Sequence, residues 1–98
     1  MNVVAITACH TGIAHCYMAA DRLTEAAKAL AITIKIETQG AMGIENKISK
    51  REFDSADFIL LATEISPAES DRYEGKNPTI VSVQDAINHP LSLLKKFK

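Results

Sequence analysis

The chain has 98 residues, 47% of them hydrophobic, with a formal net charge of -1. That apolar content supports one core without disulfide or metal staples, so a single domain over residues 1–98 is expected. The balanced charge excludes a broad positive field of the kind that holds nucleic acid or an anionic membrane. No apolar run approaches the roughly 20 residues of a bilayer span, and Met1-Asn2-Val3-Val4 lacks the basic flank of a signal peptide, so a cytoplasmic protein is expected. There, its two cysteines are expected as free thiols, either inert filler or reactive groups.

Val3-Val4-Ala5-Ile6 is a short apolar run, as expected for a strand buried on both faces, and it stops at Thr7-Ala8-Cys9. From about Ala14 to Ala31, Tyr17, Ala20, Leu23, Ala27 and Leu30 recur at helical spacing, and this stripe predicts a helix packed on the sheet. Ile32, Ile34 and Ile36 alternate with Thr33, Lys35 and Glu37, which predicts a half-exposed strand near the sheet edge, followed by a loop from Thr38 to Asn46. Ser49 with Glu52 three positions on predicts a capped short helix to about Ser55. Phe58 to Ala62 reads as a second central strand and Thr63 to Asn77 as a polar loop. Thr79 to Val83 reads as a fourth strand, before a C-terminal helical region restarted by Pro90. The alternation predicts an α/β fold: an open four-stranded, mainly parallel sheet with helices on both faces. Ligand chemistry in such sheets belongs at the carboxyl ends of the strands, where Cys9 and the loops after Glu37 and Ala62 converge.

The segment Cys9-His10-Thr11-Gly12-Ile13-Ala14-His15-Cys16 joins the first strand to the main helix. Backbone N–H groups of such a turn and of the helix's first turn form a concave anion site, so a phosphate-binding loop is expected there. The same field favours thiolate at Cys9, and a titration point below the ordinary value of about 8.5 is expected. Such a thiolate can take a phosphoryl group in line from a phosphohistidine without metal or cofactor. Spacing alone leaves open the plainer reading, a small buried cysteine at a strand end.

The run from Ala8 to Ala20, ACHTGIAHCYMAA, resembles the signature of the fructose-type enzyme IIB component of the sugar phosphotransferase system, usually Cys-Pro-Thr-Gly-Ile-Ala-His-Thr-Tyr-Met-Ala-Ala. Glu37-Thr38-Gln39-Gly40 with Gly43-Ile44-Glu45-Asn46 is similar to a second family block, and Asp71-Arg72-Tyr73 with Gly75-Lys76 to a third. The likeness runs in order over essentially the whole chain. It implies a phosphotransferase subunit in which Cys9 takes phosphate from the phosphohistidine of enzyme IIA and passes it to a fructose-like sugar. That sugar is bound by the membrane enzyme IIC, which would hold the protein at the inner face of the membrane.

Two positions depart from the signature. His10 replaces proline, restoring an N–H donor and freeing the backbone, and its imidazole either faces the phosphate or is a solvated loop histidine. Cys16 replaces threonine, and a thiol donates a weaker hydrogen bond than a hydroxyl. His15 either contacts the phosphate or caps and packs. Gln39 and Gly40 are expected beside the phosphate and the partner, whereas Glu45 and Asn46 read as caps for the next helix. Arg72 is read as a partner-docking or anion-contact residue, or as a solvated loop arginine.

Other readings are set against this one. A low-molecular-weight tyrosine phosphatase places arginine six positions after its nucleophile, where this chain has His15, so hydrolysis lacks its bidentate phosphate clamp. Cys9, His10, His15 and Cys16 are possible zinc or copper ligands, although helical neighbours diverge by about 100°. A Cys9–Cys16 disulfide under oxidation would block the relay. A regulatory phosphoacceptor on the same fold is the remaining alternative.

Overall fold

The computed structural model describes residues 1–10 and 13–98, and the side chains of all of these but Ile13. Five strands, β1 Asn2–Ala8, β2 Thr33–Gly40, β3 Gly43–Glu45, β4 Phe58–Thr63 and β5 Thr79–Val81, form one sheet in the order β3-β2-β1-β4-β5. Neighbours are parallel except β2 and β3, which are antiparallel. The expected α/β architecture is present, with one strand more than the periodicity predicts. β3 has three residues, too few to show an alternation, and a turn at Ala41-Met42 fixes its pairing through Gly40 opposite Gly43. Gly43 has φ 85°, the left-handed region that glycine enters without a Cβ clash. With β3 outside it, β2 is an inner strand and not an edge.

The helices are α1 Ile13–Ala29, α2 Lys50–Ser55, α3 Val83–Asn88 and α4 Pro90–Lys95. On one sheet face, Val3 and Ala5 of β1 and Leu60 and Ala62 of β4 pack with α1, α3 and α4. On the other, Val4, Ile6, Ala8, Ile59 and Leu61 pack with Ile48, Phe53 and Tyr73. Side chains alternate across a strand, so one continuous apolar run fills two cores, which is why β1 and β4 read as uninterrupted hydrophobic segments. Among the described residues no helix is long and apolar enough to cross a membrane.

Ser49 caps α2 as expected: Glu52 N donates to Ser49 Oγ at 3.1 Å and Ser49 N to Glu52 Oε1 at 2.9 Å. Pro90 occupies the first turn of α4. The core stripe of α1 differs from the one predicted. It runs through Cys16, Ala19, Leu23, Ala26 and Ala27, all buried, whereas Tyr17 is 37% exposed and its hydroxyl donates to the Glu45 carboxylate. Small residues let α1 lie close to the sheet, so the larger ring is turned to the rim.

A second correction concerns the segment after β4. Residues Ser70–Tyr73 form a 3-10 turn that brings Arg72 inside, 6% exposed, in place of the solvated loop expected there.

Candidate active site at the end of the first strand

The strand order reverses at β1: the chain passes from β1 to β2 on one side and then to β4 on the other. Open sheets have a crevice at such a point, beyond the carboxyl ends of the strands. Cys9 is the first residue past β1 there. Its N–H donates to Gln39 O at 3.0 Å, and the carbonyl of Ala8 accepts from Glu64 N at 2.8 Å. Both neighbouring strands thus hold the backbone at Cys9 in register. Cys9, Gln39, Gly40, Gly43, Ile44, Ile65, Ser66 and Ala68 line an open pocket of about 220 Å³. Among the described residues, these walls contain no lysine or arginine.

Cys16 lies in the first turns of α1 with its side chain directed to the sheet, and it is joined to Cys9 by a disulfide with Cα atoms 6.0 Å apart. The two residues are 3% and 2% exposed. Gln39 O, which binds the Cys9 N–H, lies 3.7 Å from Cys16 Sγ, and Thr7 Oγ1 donates to Cys16 O at 3.4 Å. One carbonyl of β2 therefore touches both cysteines.

Behind this pocket lies a polar network that the sequence pattern did not reveal. Glu37, fully buried, accepts from Arg72 through both carboxylate oxygens, at 2.7 and 3.0 Å. Ile48 N donates to the same carboxylate at 2.8 Å and Gln39 Nε2 at 2.6 Å. Gln39 Oε1 in turn accepts from Ala68 N at 2.8 Å, and its amide nitrogen donates to Ala68 O at 3.3 Å. The segment after β4 is thereby strapped to β2, and it forms the Ile65–Ala68 side of the pocket. Burial pushes the Glu37 carboxyl up, but the guanidinium and the two amide donors together hold it below the usual carboxylate range. The same pairing raises Arg72 further. Arg72 also lies 5.2 Å from the centre of the Phe53 ring, a cation–π distance.

The structure brings four of the expected site residues together: Cys9, Cys16, Gln39 and Gly40. His10, Ala14 and His15 are exposed around them, and Thr11, Gly12 and the side chain of Ile13 lie outside the described residues. Arg72 is not at the surface. Its donors bind Glu69 O, Ile48 O, Ala68 O and the two Glu37 oxygens, and these bonds match the five N–H groups a guanidinium carries. No donor is left to contact a partner or an anion, so its link to the site runs through Glu37 and Gln39. The signal for Glu37 lay in its place beside Gln39 in one block, with Arg72 in another. Opposite charges in separate blocks pair readily once folding joins them. Among the described residues, no group of three or more His, Cys, Asp or Glu side chains is placed to hold a metal ion.

Comparison with known proteins agrees with this geometry. Residues 4–96 match the family described as the PTS system lactose/cellobiose-specific IIB subunit. A PTS system fructose-like EIIB component 2 of Escherichia coli K12 is 38% identical over 97 residues, spanning 99% of this chain and 92% of that protein. A fructose-specific EIIABC component of Bacillus subtilis is 43% identical over 97% of this chain, which corresponds to 15% of that longer polypeptide. Among solved structures, a domain of a fructose-specific IIABC component from Borrelia burgdorferi superposes with a TM-score of 0.90 at 38% identity, covering 98% of this chain and 91% of that one. An enzyme IIB subunit from Escherichia coli K12 gives a TM-score of 0.91 at 35% identity, covering 97% and 88%. With 38% identity over nearly its full length and the same fold, the chain belongs to the enzyme IIB family of the sugar phosphotransferase system, in its fructose-type branch.

Proposed function

We propose that the chain is a phosphoryl carrier with Cys9 as its acceptor. In the reduced protein the Cys9 thiolate attacks the phosphorus of an enzyme IIA phosphohistidine in line. The S–P bond forms, the P–N bond breaks, and the electron pair returns to the imidazole. In the second half-reaction a hydroxyl of a fructose-like sugar held by the membrane enzyme IIC attacks phosphorus and loses its proton. The P–S bond then breaks and the thiolate leaves. The observation that carries this reading is the position of Cys9, directly past β1 at the strand-order reversal, backing onto an open pocket. The pocket suits a protein-bound phosphoryl group. A sugar site of its own is not required, since enzyme IIC would hold the sugar.

His10, Thr11, Gly12, Ile13, Ala14, His15 and Cys16 form the proposed cradle, with Gln39 and Gly40 at the partner-facing wall. Arg72 supports that wall from behind. The test is intact-protein mass under reducing conditions after incubation with phosphoenolpyruvate, the general phosphotransferase proteins and a fructose-type enzyme IIA. One phosphate adduct, lost in Cys9→Ser and retained in Cys16→Ser, is expected. An adduct that survives Cys9→Ser would move the acceptor to another residue.

A further inference from the structure

The structure unites the proposed phosphoacceptor with a second sulfur. Their Cα separation of 6.0 Å lies within the range of about 4.4–6.8 Å that a disulfide spans. The bond coexists with the Cys9 N–H to Gln39 O hydrogen bond, the intact β1 register and the regular start of α1. Its formation therefore leaves β1 and α1 in place. Both sulfurs are shielded from bulk solvent, yet Cys9 backs onto the open pocket, which admits a molecule as small as hydrogen peroxide.

We propose that Cys9 and Cys16 form a reversible disulfide that switches the carrier off under a peroxide and on again under a dithiol; the switching rests on Cys9 being the acceptor. The chemistry balances. The Cys9 thiolate attacks a peroxide oxygen, the O–O bond breaks, and after protonation one water leaves a sulfenic acid. Cys16 sulfur then attacks the sulfenic sulfur, the S–S bond forms and a second water departs with the Cys16 proton. Two electrons have passed from the thiol pair to the peroxide. A dithiol returns them by exchange, ending as its own disulfide. A disulfide sulfur has no thiolate charge with which to attack phosphorus, so the oxidised carrier accepts nothing. Conversely, a Cys9 sulfur already bonded to phosphorus is no thiolate for the peroxide. Phosphate and disulfide thus compete for one atom.

The experiment uses the full chain. The reduced protein is treated with hydrogen peroxide and re-reduced with dithiothreitol. At each stage intact mass, alkylatable thiols and the rate of phosphorylation by enzyme IIA are measured, with Cys16→Ser alongside. The switch requires a species lighter by two hydrogens with no alkylatable thiol, at least a tenfold fall in phosphorylation rate, and recovery on re-reduction. It also requires that Cys16→Ser form no internal disulfide, gaining oxygen instead. Peroxide-treated wild type that keeps two free thiols or only gains oxygen overturns the disulfide. A disulfide form that still takes phosphate at the reduced rate overturns the switching. If the reduced protein takes no phosphate while the disulfide forms and reverses, the carrier reading fails, and the switching with it, while the redox chemistry stands.

Discussion

Replacing Glu37 by glutamine removes one charge from a carboxylate that is 0% exposed and answers four donors: two from Arg72, one from Ile48 N and one from Gln39 Nε2. The amide offers one oxygen and one NH2 group. Whichever way it is turned, its nitrogen faces donors, and the Arg72 cation is left buried without a counter-charge. Breaking one side of such a pair costs about 3–5 kcal/mol. A small domain's whole stability is about 5–15 kcal/mol, so the loss is a large share of it. With a urea slope of about 2 kcal/mol/M, Glu37→Gln is expected to lower the unfolding midpoint by about 1.5–2.5 M. The chain has no tryptophan, so the transition is followed by far-ultraviolet circular dichroism, under reducing conditions that exclude the disulfide. Lys35→Met is the control. It breaks the Lys35–Glu52 pair, whose side chains are 35% and 39% exposed, and exposed pairs contribute no more than about 1 kcal/mol. If Glu37→Gln shifts the midpoint no more than Lys35→Met does, the network is not what holds the segment after β4 to β2.

The lowered carboxyl of Glu37 also makes a pH prediction. Its stabilisation is fully present above the unfolded value of about 4.3 and is lost as pH falls through the lower folded value. Wild-type stability should therefore decline below about pH 4.3, and Glu37→Gln should decline less steeply in urea melts across that range. Gln39→Ala releases both hydrogen bonds to Ala68, costing about 1–3 kcal/mol and slowing phosphorylation of Cys9 more than a urea-matched variant elsewhere, as read by intact mass over time. Ser49→Ala removes the cap of α2 and should cost about 1 kcal/mol in the same melts. Phe53→Ala empties the second core, where its ring lies 5.3 Å from that of Tyr73, and should cost about 3–5 kcal/mol.

Much of this molecule was written locally. β1 and β4 declare themselves because burial on both faces needs an unbroken apolar run, and α2 because its capping box satisfies its own first turn. The place of Cys9 at a strand end is local too, whereas its role is read from the family resemblance and not from spacing. Other features depend on what meets what. Tyr17 sits at helical spacing with the core stripe, yet Cys16 and Ala19 take the sheet-facing side because α1 packs close. β3 exists through its turn and partner strand, not through any pattern of its own. Glu37 alternates with isoleucines and so reads as solvent-facing, and Arg72 sits in a polar segment and so reads as solvated. A charge can be buried only when its partner is delivered to it, and that partner lies 35 positions away. The meeting of Cys9 with Cys16 is of the same kind: the spacing allowed it, but the packing of α1 against the sheet brought the two together. Sequence by itself determined β1, β4, the cap of α2 and the place of Cys9 at a strand end, whose causes are short-range; tertiary structure decided β3, the buried ion pair and the paired sulfurs, because each needs separate groups placed within bonding reach.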